Sequence, residues 1–333
     1  MKKIISLLSL TILIFSLLTS CAGPEGQKPP EEVKVRIGYM AGPTGLGMAK
    51  MIIDNNGMNG GNDRYEFTKY VDTQTAKADL AAGKVDVICL PTNEAVMYHT
   101  QVDNDAKILA INCLNSLYLL TEGNSQVKSL SELDGKTIYT CKNGTPRIVL
   151  EHLIGQLKLN ITVSYSIDGK EIVTPQDLSN CVILGLIPNA VMPEPLVTSS
   201  LLAIKKNGNE SIVFTTDIDL NDEWTKTYST PITMGCIVAD GDFARDQKAT
   251  LNAFLDEYKL SVEYIGNMEN IDSAANYVVE SSVMGAAPAA KMALKNLSGS
   301  ISYIDGRNMI EALSAFYNAI GIKPMDDSIY YER

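Results

Sequence analysis

Histidine and tryptophan are nearly missing from this 333-residue sequence, which holds two histidines, His99 and His152, and one tryptophan. Neither histidine lies near a cysteine along the chain, so no zinc or haem ligand set is visible. The six cysteines form no CxxC pair, and five of them follow Cys21: Cys89, Cys113, Cys141, Cys181 and Cys236. Their odd number argues against a disulfide framework, and most sit in apolar runs such as "VDVICLP", where a free cysteine is a small buried hydrophobe. Positive charge is scarce too. A formal net charge of −11 argues against nucleic acid, which needs a basic face to offset phosphate repulsion. No motif supports a Ser/His/Asp or Cys/His nucleophile. Beyond the N-terminus there is no second long apolar segment, so a spanning helix is not expected. No cofactor and no metal are expected.

What is there begins with "MKKIISLLSLTILIFSLLTSC" (1–21), a basic start followed by an unbroken apolar run. It reads as an export signal over residues 1–20, short for a bilayer span. Its end, "LTSC", resembles the bacterial lipobox, in which the cysteine, here Cys21, is lipidated. Residues 21–32 are rich in Gly, Pro and charge and suit a flexible tether, so the folded part is expected to begin near Val33. The length beyond suits about two domains.

From there strand-like and helix-like segments alternate, the pattern of an α/β sheet with short connections. "VKVRIGYM" (33–40), "YEFTKYV" (65–71), "VDVICL" (85–90), "AKILAINCL" (106–114) and "LYLLTE" (117–122) are expected strands. Helices are expected at 46–55, closed by "NNG", at 73–83 and 92–100, and through the amphipathic "PRIVLEHLIGQLKL" (146–159). Another starts at Thr174, with that residue as N-cap, Pro175 at the first position and Asp177 in the first turn. "AVM" (190–192) reads as a short strand broken by prolines, "NDEWTKTYSTP" (221–231) as irregular. Helices near 242–266, 271–284, 287–297 and 306–320 make the last third mostly helical. No tandem repeat is present.

Chemistry is most readily placed at three strand-to-helix loops. "GYMAGPTGLGMAKMI" (38–52) puts four glycines and a proline into ten residues, with Thr44 available as N-cap and Gly45 and Gly47 in the first turn. Bare helix-start amides would let a ligand approach closely. The same glycines equally suit a tight turn with close helix packing, and the spacing is neither GxGxxG nor a Walker loop. "CLPTNEA" sets Pro91, Thr92 and Asn93 before a helix, and "CKNGTPRIV" sets Asn143, Gly144 and Thr145 before another. Three such loops at strand carboxyl ends imply one shared pocket. Arg147 is the nearest cation, although a first-turn arginine is as commonly exposed.

"RIGYMAGPTGLGMAKMI", "AAGKVDVICLPTNEA", "LDGKTIYTCKNGTPRIVLEHL" and "PNAVMPEPLVTSSL", in this order behind a lipobox, resemble the solute-binding components of ABC importers. The subgroup that takes up sulfonates, taurine, nitrate and thiamine-precursor pyrimidines is the most similar. The resemblance spans about residues 33–325 and implies an α/β type II periplasmic-binding-protein fold, two α/β lobes with a ligand cleft between them. It implies residues 33–120 and 236–333 as the first lobe and 121–235 as the second. By position, the first lobe would contribute Pro43, Thr44, Gly45, Leu46, Pro91, Thr92 and Asn93; the second would contribute Asn143, Gly144, Thr145 and the "PEP" at 193–195. Here the chain departs from the family, since Met192 replaces the aromatic of its frequent "WEP" and "GLIPNAVM" replaces the usual Gly-x-Val-Asp-Ala. Glu194 could bind a ligand amine or ring N–H, or serve the structure of its proline-flanked loop. Of the aromatics at strand ends or in "NDEWTKTYSTP", namely Tyr39, Tyr118, Trp224 and Tyr228, Tyr39 is the best placed to cover a planar ligand.

The expectation is therefore a monomeric, lipid-anchored extracytoplasmic receptor that captures a small solute by hinge closure and passes it to a membrane permease. Sulfonate, carboxylate or nitrate would suit helix N-termini, while the glutamate and scarce cations leave a pyrimidine-like heterocycle equally open. Two alternatives stand beside it: an enzyme on the same fold acting on a small heterocycle, and a surface receptor domain.

Overall fold

The apolar runs pair as strands, and they do so in two separate sheets. The computed structural model describes residues 33–55, 64–101, 105–123, 127–285, 287–323 and 326–333, and Lys34–Arg333 form one compact unit. The export segment, Cys21, the tether and most of the "NNG" helix closure lie outside the described residues.

In chain order the strands are β1 (Val35–Met40), β2 (Tyr65–Tyr70), β3 (Val87–Pro91), β4 (Lys107–Leu114), β5 (Leu117–Glu122), β6 (Thr137–Tyr139) and β7 (Thr162–Ser164). They continue with β8 (Ser166–Ile167), β9 (Lys170–Glu171), β10 (Asn189–Pro193), β11 (Phe214–Asp219), β12 (Thr233–Ala239) and β13 (Ile301–Ile304). The first sheet has the order β13-β4-β12-β3-β1-β2, the second β11-β5-β10-β6-β7, and β8 and β9 form a small hairpin.

Both sheets follow one plan. Each is parallel on one side, β3-β1-β2 in the first and β10-β6-β7 in the second, and beside that parallel part each takes in a strand that runs against both its neighbours. That strand is β12, between β3 and β4, in the first sheet and β5, between β10 and β11, in the second. Each arrives from the other sheet. β5 follows β4 across Asn115 and Ser116, while β12 follows the helix Leu220–Tyr228 across residues 229–232. The two crossings are tied together: Asn115 N–H donates to the Ile232 carbonyl (2.8 Å), and Ile232 N–H donates to the Asn115 side-chain oxygen (3.1 Å). Asn115 does this at φ +36°, a left-handed conformation that asparagine tolerates better than most residues. The result is two α/β lobes with a cleft between them.

Strands covered on both faces should read as continuous apolar runs, and β3, β4 and β12 do. One apolar cluster packs the first sheet against the helices Ala49–Asn55, Lys248–Gly266, Ile271–Glu280 and Ala287–Asn296. A second covers its other face and continues through the crossings into the second sheet, joining Ile88 and Ile108 to Leu117, Ile138 and Val149. The third, with Leu178, Val182, Met192 and Val197, lies under the helices Pro175–Ile183 and Leu196–Asn207.

Local chemistry explains several boundaries. The helix Pro175–Ile183 begins with the expected cap, completed as a reciprocal pair: Asp177 N–H donates to Thr174 Oγ1 (3.1 Å) and Thr174 N–H donates to Asp177 Oδ2 (2.9 Å). The helix expected over 242–266 is two, Gly241–Asp246 and Lys248–Gly266, because Gln247 leaves helical geometry at φ −117°, ψ 34°. "NDEWTKTYSTP" is largely helical. Asp219 accepts from Asn221 N–H (2.8 Å) to start Leu220–Tyr228, whose Leu220 and Trp224 share one buried face. Thr44 does not cap its helix: Gly45 holds the N-cap position with no side-chain bond, and Leu46–Met48 open as a 3-10 turn.

Candidate functional site

Between the lobes lies a cleft of about 270 Å³, at the small end of the volumes usual for small-molecule sites. It forms where strand carboxyl ends from both sheets face each other. The first lobe lines it with the ends of β1 and β2, the end of β3, and Met234 of β12; the second lines it with residues after β6, around Val173, and the end of β10.

Three loops expected to meet do meet here. Pro43, Thr44, Pro91, Asn143, Gly144 and Thr145 all line the cleft. Gly144 adopts φ +102° as the N-cap of Thr145–Leu157, which starts without any side-chain cap and with Pro146 in its first turn, so the amides left uncapped there are those of Thr145 and Arg147. Asn143 stands beside them.

The other expected site residues lie elsewhere, each with its own partner. Tyr39 is buried in the first lobe, where its hydroxyl donates to the Ser281 carbonyl (3.2 Å). Leu46 is fully buried in the same core. Thr92 Oγ1 donates to the Thr233 carbonyl (2.6 Å) and so ties the end of β3 to β12. Asn93 Oδ1 accepts from Thr145 Oγ1 (2.9 Å), a bond from one lobe to the other. Glu194, 1% exposed, accepts from Thr198 N–H (3.0 Å), Thr198 Oγ1 (2.7 Å) and Asn296 Nδ2 (2.6 Å), the last across the lobes. Tyr118 adds a second bond there, donating from its hydroxyl to the Asn296 carbonyl (3.2 Å).

The glycines of the first loop have a packing reason. A Cβ on Gly45 would stand 1.8 Å from the Met40 carbonyl oxygen, and one on Gly47 would stand 2.7 Å from a Val262 methyl. The chain folds back on itself too closely there for any side chain.

Sequence reasoning missed part of the wall. Val71, Asp72, Thr73 and Gln74, after β2, and Val173, Thr174 and Pro175, in the second lobe, line the cleft on opposite sides. Val71 is 88% exposed and Val173 52%, which leaves an apolar side chain on each lip. The available signal was "YVDTQTA", a strand end followed by an N-cap, the same design as the loops that were found.

Charge in the cleft is one-sided. Among the described residues its wall carries Asp72 and Glu94, and no lysine, arginine or histidine. Glu94 is paired with the buried Lys77 (2.6 Å). Among the described residues no cation pairs with Asp72: it accepts from Thr75 N–H (2.8 Å) and Thr75 Oγ1 (2.9 Å), and these bonds hold its carboxyl below its ordinary pKa. The two cations that flank the Asn143–Thr145 loop are engaged elsewhere. Arg147 donates to Glu151 (2.7 Å) and to the Lys142 carbonyl (2.9 Å) and lies over the Tyr165 ring, while Lys142 pairs with Glu171 (2.5 Å). Burial pushes the Cys141 thiol up to about 12, so at neutral pH this cleft cysteine is a thiol and not a nucleophilic thiolate.

The remaining rare residues are accounted for by structure. His99 Nδ1 lies 3.1 Å from the Ala106 carbonyl, and His152 Nδ1 2.8 Å from that of Ile148. The five cysteines among the described residues are free, four of them buried. Trp224 is fully buried, its ring centroid 4.2 Å from that of Tyr228 and 5.6 Å from that of Phe316. Among the described residues no cluster of three or more His, Cys, Asp and Glu is placed to hold a metal ion, and no helix is long and apolar enough to cross a membrane.

The fold recurs in solved structures. An ABC transporter protein from Parabacteroides distasonis superposes with a TM-score of 0.67 at 16% identity, over 90% of this chain and 99% of that one. The periplasmic aliphatic sulphonate binding protein SsuA from Escherichia coli gives 0.66 at 14% identity, over 90% and 92%. The periplasmic nitrate-binding protein NrtA from Synechocystis gives 0.60 at 14% identity, over 85% and 76%. The fold is that of the periplasmic binding proteins of ABC transporters. No protein-family model matches the sequence, and no curated relative does.

Proposed function

We propose that this chain is the extracytoplasmic solute-binding protein of an ABC importer, capturing a small solute between its lobes and presenting it to a membrane permease. One observation carries the reading: a small cleft lies between two sheets that are joined only by two adjacent crossings and bridged by separate lobe-to-lobe bonds, Thr145 to Asn93 and Asn296 to Glu194. Asn115, Ser116 and residues 229–232 act as the hinge, and they divide a first lobe, before Asn115 and from β12 onward, from a second. Solute bound to both walls stabilises the closed form over the open one. In this reading the solute is captured and released without turnover. Residues 1–20 direct export and Cys21 carries the lipid that holds the monomer at the extracytoplasmic face of the membrane, as "LTSC" suggests.

Native mass spectrometry of the protein as purified, with X-ray scattering before and after solute addition, tests this. A non-covalent small molecule should copurify, and its release should enlarge the particle. At a hundred times its dissociation constant a solute adds about 2.7 kcal/mol of stability. Failure to retain or bind any solute overturns the reading. Acyl labelling that survives Cys21→Ser overturns the anchor.

A further inference from the structure

The cleft differs in chemistry from one built for an oxyanion. Its wall is mostly apolar, with Met40, Val71, Pro91, Val173, Pro193 and Met234 from both lobes. Lys77 pairs with Glu94, and among the described residues no cation pairs with Asp72, the other carboxylate of the wall. Both Asp72 oxygens already accept one bond from Thr75, and a carboxylate oxygen can accept a second. On the opposite wall, the uncapped start of Thr145–Leu157 offers amides to a neutral acceptor of the same ligand.

We infer, building on the solute-binding reading, that the cleft takes a small, largely apolar solute bearing a basic nitrogen group such as an amine or amidinium, received by Asp72, and that it rejects oxyanions. The apolar body lies between the lips formed by Val71 and Val173, and the nitrogen group donates to the carboxylate. Repulsion from Asp72, and a wall that carries no cation among the described residues, disfavour sulfonate, nitrate and carboxylate groups.

Calorimetry with matched probes tests the inference: benzamidine and 4-amino-2-methylpyrimidine against benzoate, benzenesulfonate and nitrate. The amidine or aminopyrimidine should bind about tenfold or more tightly than either aromatic anion, the range expected for a charge-assisted hydrogen bond gained against one opposed. Asp72→Asn keeps the helix cap, because asparagine caps as well as aspartate. It should therefore leave the melting temperature nearly unchanged while weakening the basic probes about tenfold and narrowing the preference. An anion that binds wild type as tightly as benzamidine overturns the inference, as does an unchanged preference in Asp72→Asn. If no probe binds, the copurified molecule decides: one without a basic nitrogen overturns the inference alone, and the absence of any bound molecule overturns the solute-binding reading itself.

Discussion

Gly45→Ala measures how closely the first loop is folded. Gly45 has φ −97° and ψ −15°, a conformation open to any residue, so alanine would stabilise by about 0.4–1 kcal/mol if space allowed, through a less flexible unfolded chain. Space does not allow it. The new methyl would stand 1.8 Å from the Met40 carbonyl oxygen and 3.0 Å from its carbon, so one backbone segment must move by more than an ångström. Met40 ends β1 and is in register with Tyr70, while the turn is held from behind by Gly47 against Val262. Overpacking costs about 1–3 kcal/mol when side chains can yield, and here backbone opposes backbone, so the loss should reach about 3 kcal/mol or more. At about 2 °C per kcal/mol for a chain of this size, the melting temperature should fall by roughly 6 °C. Gly155→Ala is the control: it lies on the exposed side of Thr145–Leu157, nothing is within 4 Å of its Cβ position, and alanine should add about 0.5–1 kcal/mol. Urea denaturation of both variants beside wild type makes the comparison. A Gly45→Ala protein within about 0.5 kcal/mol of wild type, the uncertainty of such titrations, would refute the close approach and restore these glycines to a role in ligand access.

Trp224→Ala should cost about 3–5 kcal/mol in urea denaturation while leaving the affinity for a bound solute unchanged, because the ring fills core and not cleft; a selective loss of affinity would refute that placement. Thr145→Val removes the bond to Asn93 across the lobes and should weaken solute binding by about three- to tenfold by calorimetry, whereas an unchanged affinity would mean the bridge does not favour the closed form. Burial raises the Glu194 carboxyl above its ordinary 4.5, against the opposing effect of the bonds from Asn296 and Thr198. A raised folded-state value means a contribution present in full below the unfolded value and lost as pH rises through the folded one. Wild type should therefore lose stability relative to Glu194→Gln as pH rises above 4.5; a relative gain would contradict the shift.

The alternating units and the loops at strand ends were legible because their signals are local. A cap such as Thr174 with Asp177 declares itself within four residues, and apolar runs such as "VICLP" declare a buried strand. What stayed illegible depends on residues far apart. Glu194 could have faced a solute; that it instead receives Asn296, 102 residues away, is decided by how the lobes meet. The first loop's glycines match both a ligand approach and a tight packing turn until Met40 and Val262 are seen beside them. Leu220, Trp224 and Tyr228 do repeat at helical spacing, but charges between them make the segment read as irregular. Asp72 differs from these, since its strand-end cap could have been found by the rule that found its neighbours.

The order of strands in the first sheet also sets a schedule for its formation. β3 and β4 leave the ribosome early, yet the strand that must separate them, β12, is about 120 residues downstream. At roughly 5–20 residues per second that interval lasts about 6–24 s. During it the β3 edge, apolar and free of proline before Pro91, has no partner and is the segment most exposed to wrong pairing. The second sheet waits less, because β10, which separates β5 from β6, follows β6 by only about 50 residues. The nascent chain should thus complete its middle before its beginning, and a holding chaperone would find its substrate in the first four strands.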